Sequence, residues 1–318
     1  MPLSLRRGRV TRVVDALHCE VDGVDCIVYV DVTGRVEEGD DVLVNVQARE
    51  LGLGSGGFDV VYANLTRGLD LAPDDGAHVM ALPYAPGQWA VRHAEEEQDR
   101  AAAAALDGLP VVLCTVHSQV APAWAALQDR RVAYIQVAGG ALPLDLSDTV
   151  RTLELALRVS VAPCFGGDAR CVSVASALLW VARRADVAIC AVGPGIVGTG
   201  TRFGHGAVSL AEAANVASAL GGVPILAARV SDADARERHR GVSHHTQAVL
   251  DLCLGEVVVS SAEGGAGWRE ACAGLPLSHM GRGPDEDPSH FAAAYAAGRW
   301  QRTARGRAPR WRSGDSAR

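Results

Sequence analysis

Six short apolar runs recur in the second two-thirds of the chain, and their alternation with helical stretches constrains the fold more than any other feature. The runs are 111–116, 132–137, 159–164, 187–192, 224–230 and 256–259. Between them lie helical patterns near 121–128, 146–157, 172–183, 210–220 and 244–254. Strands without a polar face, separated by helices long enough to cross over, predict a mostly parallel sheet covered on both faces. The fold class is therefore α/β, a mostly parallel doubly wound sheet, preceded by a small N-terminal β-barrel-like domain.

That smaller domain is read from residues 5–65. Segments 9–14, 26–30 and 41–45 cluster β-branched residues between turn residues. Leu51-Gly-Leu-Gly-Ser-Gly-Gly57 then interrupts the pattern before another apolar segment at 58–62. Asp70-Leu-Ala-Pro-Asp-Asp-Gly76 marks the boundary, which gives domains 1–69 and 70–298 and a basic tail, 299–318, expected to lack structure. Residues 78–84 read as a strand and 90–106 as a helix.

With 48% hydrophobic residues in 318, the chain is expected to be globular. No apolar run reaches the roughly 18–20 residues of a membrane span, and the start lacks the apolar stretch of a secretory signal. A cytoplasmic protein is expected, with its 8 cysteines reduced and structural. All 30 cationic side chains are arginine. Without a lysine there is no pyridoxal phosphate Schiff base, no lysine aldolase and no P-loop NTPase. A net charge of −7 argues against nucleic acid as a partner, apart from the tail, where seven arginines face Asp315 alone. Homo-oligomers stay open.

In a parallel sheet, ligands bind beyond the carboxyl ends of the strands. The strand ends here lead into His117-Ser-Gln, Ala138-Gly139-Gly140, Phe165-Gly-Gly-Asp168, Gly193-Pro-Gly-Ile-Val-Gly-Thr-Gly-Thr201 and the segment 231–246. Gly193-x-Gly-x-x-Gly198 formally matches a dinucleotide fingerprint, but no helix opens at its third glycine and the later acidic residue is missing. A loop holding phosphate or carboxylate through its amides and the Thr199 and Thr201 hydroxyls fits better. Arg236, Arg238 and Arg240 precede His244 and His245 at a helix start, where anions are favoured. Adjacent histidines point about 100° apart on a helix, so these two are not expected to chelate one ion together. A divalent metal is permitted by His117, Asp168, His205, Asp232, Asp234, His239, His244 and His245, although none of their spacings is diagnostic.

Three strings, Leu51-Gly-Leu-Gly-Ser-Gly-Gly57, Gly193-Pro-Gly-Ile-Val-Gly-Thr-Gly-Thr201 and Arg236-Glu-Arg-His-Arg-Gly-Val-Ser-His-His-Thr246, resemble a bacterial family described only as domain of unknown function 3866. The resemblance implies one architecture along nearly the whole chain except the tail. It carries no activity, substrate or catalytic residue with it.

The expected function is an enzyme acting on a small anionic metabolite, phosphorylated or nucleotide-like, at the carboxyl edge of the sheet. Gly193, Gly195, Gly198, Thr199 and Thr201 cradle the anion in this expectation, beside Gly139 and Gly140, and the Gly52–Gly57 loop partly roofs it. Arg236, Arg238 and Arg240 neutralise the charge, and His244 or His245 moves a proton. Asp168 orients that histidine or holds a metal, and His117 lies on the same rim. A non-catalytic ligand-sensing or regulatory module and a NAD-type dinucleotide-binding protein are the alternatives.

Overall fold

The computed structural model describes residues 3–52, 57–72, 75–98, 105–300 and 310–311. Contacts divide the chain into two units, Met1–Arg92 and His93–Arg318.

In the first unit, β1 (Leu5–Val13), β2 (His18–Val21), β3 (Val24–Ile27), β4 (Asp41–Asn45) and β5 (Asp59–Asn64) close into a barrel of order β1-β2-β3-β5-β4. Short helices α1 (Val30–Thr33) and α2 (Gln47–Glu50) flank β4 in the chain. Alternation explains the closure: Cys19 and Val21 of β2, Val42 and Val44 of β4 and Val61 of β5 point inward and are buried. The unit ends in a hairpin of β6 (Val79–Ala81) and β7 (Trp89–Val91). The helix expected over 90–106 is thus corrected at its start, because Trp89-Ala-Val91 pairs with β6 instead. A 3-10 turn follows at Ala94–Gln98, and residues 99–104 lie outside the described residues.

The second unit is a doubly wound parallel sheet. Its strands are β8 (Pro110–Cys114), β9 (Val132–Val137), β10 (Leu157–Val161), β11 (Ala169–Cys171), β12 (Val187–Val192), β13 (Val223–Ala227) and, after two short strands described below, Val257–Val259. Strands β9 and β12 are buried at every position, as an apolar run without alternation requires.

Helices α3 (Val120–Ala125), α4 (Asp148–Thr152), α5 (Val174–Val181) and α6 (Ser209–Ala219) cover the faces together with α7 (His244–Leu252), α8 (Trp268–Ala271) and α9 (Pro288–Gly298). Leu178, Leu210 and Val249 from α5, α6 and α7 share one core with the sheet. Val120, Val150 and Ala297 from α3, α4 and α9 share the core on the other face. Each such valine or leucine side chain, once fully buried, contributes roughly 1.5–3 kcal/mol. The helix expected over 146–157 is shorter, because Arg158 on β10 donates to the carbonyls of Val150 and Leu153 and ends it.

The two short strands are β14 (Val230–Ser231) and β15 (Gly241–Val242), which pair antiparallel and close the loop between them. The strand Val257–Val259 is therefore β16, and the sheet order is β11-β10-β9-β12-β8-β13-β16. Of the expected unstructured tail, Arg310–Trp311 pairs antiparallel with β16, and residues 301–309 and 312–318 lie outside the described residues.

Candidate functional site

Adjacent strands β9 and β12 send their crossovers in opposite directions, to β10 and β13, so the fold's switch point lies at their carboxyl ends. Here the chain fills that place with its own backbone. Gly140 bridges to Ile196, and the Ala141 N–H donates to the carbonyls of Pro194 (3.0 Å) and Gly195 (2.8 Å). A Cβ at Gly140 would sit 2.5 Å from Gly193, and one at Gly206 would sit 2.0 Å from the Gly139 carbonyl. These glycines allow main chain to meet main chain.

The loop after β12 is itself hydrogen-bonded. The Thr199 N–H donates to the Gly204 carbonyl, and the Gly206 N–H to that of Val197. The Thr199 and Thr201 hydroxyls lie 3.0 Å apart and bond each other. Helix α6 begins only at Ser209, beyond the last glycine of the fingerprint-like string. The loop's clearest product is the placement of His205, which bridges to Gly198 and points inward with 6% exposure.

His205 meets a group of imidazoles at the end of β13. The backbone carbonyl of Arg229, just past β13, accepts from the Ser243 N–H, and the Arg229 N–H donates to the Thr246 hydroxyl. Those bonds fix the start of α7, where Ser243 Oγ caps the His245 N–H at 3.2 Å. The His205 ring stacks on His245 with centroids 4.0 Å apart, and His244 lies 4.5 Å from His245. His239, buried in the loop that β14 and β15 close, lies 4.8 Å from His244 and 5.0 Å from His245.

One nitrogen each of His205, His244 and His245 lies within 4.8 Å of the others. This corrects the expectation that His244 and His245 diverge. At the first turn of α7 both rings bend toward His205, which enters from another loop.

The surroundings favour the neutral form of each ring in the cluster. Burial, reinforced by the charge of Arg229, pushes His239 down to about 3 and His245 to about 2, and burial also lowers His205 and His244. Arg229 itself is 2% exposed, and burial brings it down to about 10, so it stays charged. Its Nη1 donates to His245 Nδ1 at 2.9 Å. Asp234 lies 3.8 Å from its Nη2 and is also held by Arg236 (2.9 Å) and Arg282 (3.4 Å). Arg282 reaches Asp287 at 3.0 Å. Arg229 and half-buried Arg282 match buried Asp234 and Asp287, and exposed Arg236 adds a third guanidinium at the edge of the network.

Of the expected arginines, Arg236 is therefore committed to Asp234. Arg238 lies beside Gly200 of the β12 loop, and its charge acts on His244. Arg240 is exposed. Asp168, expected on the carboxyl rim, is exposed at the amino ends of β10 and β11 instead, because the turn after β10 carries the chain back to start β11, and it accepts from the Arg158 N–H at 2.8 Å. His117 lies apart from the imidazole group: its Nδ1–H donates to the Val192 carbonyl (3.4 Å) and its Nε2 accepts from Ser147 (2.7 Å). That pairing ties the ends of β8 and β12 to the cap of α4. The Gly52–Gly57 loop lies mostly outside the described residues.

The sequence reading missed the residues on the far side of the same network. Ser118 Oγ lies 3.0 Å from His279 Nδ1 and 2.9 Å from His290 Nε2, and the two rings stack at 3.7 Å. Asp287 accepts from Ser231 at 2.7 Å. The available signal was compositional: His279, Arg282, Asp287 and His290 crowd twelve residues after the last apolar run. A cavity of about 540 Å³ lies elsewhere, at the amino ends of the strands near Pro110, Val187 and Trp300.

Fold and site together define a doubly wound α/β protein whose polar interior network ends in imidazoles at the carboxyl end of β13. Within that class, the chain belongs to the family described as Protein of unknown function (DUF3866), whose model matches residues 25–271. No curated protein and no solved structure matches it.

Proposed function

We propose that this protein is an enzyme acting on a small anionic metabolite, phosphorylated or nucleotide-like, at the carboxyl end of β13. The observation that carries this reading is a guanidinium excess at the exposed edge of a buried ion-pair network. Arg229, Arg236 and Arg282 outnumber Asp234 and Asp287, and neutral imidazoles adjoin the excess. The excess lies at the solvent-facing edge, with exposed Arg236 and Arg238, where an entering anion is attracted by those guanidiniums and by buried Arg229 behind them. Half-buried His244 is the proton-transfer group in this reading, and exposed Arg238, whose charge reaches it, receives the anion. Buried Arg229 supplies the field behind them. A cytoplasmic setting belongs to the same reading, supported by eight free cysteines.

The test uses pyrophosphate, AMP and the chromogenic ester p-nitrophenyl phosphate. A bound anion raises the melting temperature by mass action, and Arg238→Ala should shrink that rise. His244→Ala should abolish ester turnover while leaving the rise in place. A rise without turnover of any ester would assign a sensing module instead, and no response to any of the three anions would reject the reading.

A further inference from the structure

We propose that His205, His244 and His245 form a binding site for one divalent transition-metal ion of the zinc class. The inference does not rest on the enzyme reading and differs from it at one residue, because a His244 that ligates an ion is not free to move a proton. Its foundation is the state of individual nitrogens. His205 Nε2–H donates to the Arg202 carbonyl at 3.0 Å, which can only accept, so the proton is fixed on Nε2. His205 Nδ1 is then a lone pair. It is buried and has no hydrogen-bond partner among the described residues, and the same holds for His244 Nε2. An orphaned buried acceptor is costly, and a metal ion satisfies a lone pair that an anion cannot.

A backbone carbonyl orienting a ligating imidazole is also the usual outer-shell arrangement. Zinc–nitrogen bonds of about 2.0–2.1 Å put tetrahedral ligands roughly 3.4 Å apart. From the present limit of 4.8 Å, the widest pair closes by roughly 1.4 Å, and the His205 and His245 rings, now stacked with planes 22° apart, turn so that their lone pairs meet at one point.

His245 is the conditional ligand. Its Nδ1 accepts from Arg229, which leaves the proton on Nε2. Ligation through Nε2 moves that proton to Nδ1, and Arg229 then turns toward Asp234, already 3.8 Å from its Nη2. Arg229 therefore competes with the ion, by charge and by hydrogen bond. The ligand set is all nitrogen, which suits zinc, cobalt, nickel or copper and disfavours magnesium and calcium, whose ligands are oxygen. Three imidazoles leave a fourth position open, and the positive surroundings bias that position toward an anionic ligand.

The experiment uses the untagged full chain, stripped with a chelator and titrated with Zn²⁺ or Co²⁺ alone. One equivalent should bind per chain, with Co²⁺ giving the visible absorption of a four-coordinate centre and Mg²⁺ failing to compete. His205→Ala and His244→Ala should each weaken Zn²⁺ binding at least about a hundredfold, and His117→Ala should leave it unchanged. Arg229→Gln offers a carbonyl oxygen to His245 Nδ1–H, and it should tighten binding about tenfold.

Should His205→Ala fail to fold, His205→Cys keeps a ligand atom and must show a new thiolate-to-cobalt charge-transfer band. Absence of saturable one-to-one binding, binding indifferent to His205 and His244, or a His205→Cys protein without that band would overturn the proposal. Metal uptake is read without any substrate. Uptake with no anion response would reject the enzyme reading alone, and the reverse would reject the ion alone.

Discussion

At the scale of single residues, the glycines show how one sequence signal serves two physical ends. A glycine-rich turn after an apolar strand reads as a place where a ligand approaches the main chain, because only a missing side chain allows that approach. Here the approaching group is another stretch of the same backbone. A Cβ on Gly206 would meet the carbonyl, Cα and carbonyl carbon of Gly139 at 2.0, 2.4 and 2.5 Å, all main-chain atoms that cannot move aside alone. Gly206→Ala should therefore destabilise the protein by about 1–3 kcal/mol, the range for overpacking a filled site. Urea denaturation measures it, and a change under 0.5 kcal/mol would contradict the close approach. Which of the two ends a glycine serves depends on what a distant loop does, and spacing does not encode that. The same limit applied to the histidines: adjacency in α7 suggested divergence, and only His205, from another loop, shows why the rings converge. The lack of lysine, by contrast, was directly informative. A lysine buried like Arg229 would shed its proton, whereas a guanidinium brought down to about 10 keeps its charge.

At the scale of elements, the alternating runs were legible because each strand of the sheet core is apolar on both faces. Strands β9 and β12 match the expected bounds residue for residue. The elements that escaped notice are short or compositionally plain. Helix α9 is an alanine stretch behind Pro288, with a weak periodic signal because nearly its whole circumference is covered. Its burial is nonetheless tight. Phe291 is fully buried and stacks on Trp268 at 5.8 Å, and a Cβ on Gly298 would fall 2.1 Å from the Ala123 carbonyl of α3. Phe291→Ala should cost about 3–5 kcal/mol. Because His290 on the same helix bonds Ser118, the loss should also loosen the Ser118 pairing. Hydrogen exchange should then show faster exchange at the start of α3. Unchanged protection there would mean that α9 holds the core without positioning its polar end.

At the scale of the whole molecule, the buried imidazoles set how the protein meets acid. His117, held down to about 4 by burial, and His279, to about 3 by burial and the charge of Arg229, are both neutral in the fold. In the unfolded chain they titrate near 6.5. Between those values the unfolded state binds more protons, so stability rises with pH there and falls as pH drops from about 6.5. Each fully displaced titration contributes a slope of up to about 1.4 kcal/mol per pH unit. Carboxylates act later and in the same direction. Asp234, held low mainly by its hydrogen bond to Arg236, and Asp186, held low mainly by Arg131, contribute stability above the ordinary carboxylate range and lose it as acid protonates them. Acid unfolding should consequently begin near pH 6 and steepen below about pH 4. His117→Asn isolates one share of the first limb, since His117 lies outside the His205–His244–His245 group and its ring bonds Val192 and Ser147. Chemical denaturation at half-unit steps should show the variant's slope reduced by up to about 1.4 kcal/mol per pH unit between pH 6.5 and 4.5, with His279, His239 and His245 supplying the slope that remains. An undiminished slope in His117→Asn would place the acid response elsewhere, and stability rising on acidification would contradict neutral burial of the imidazoles altogether.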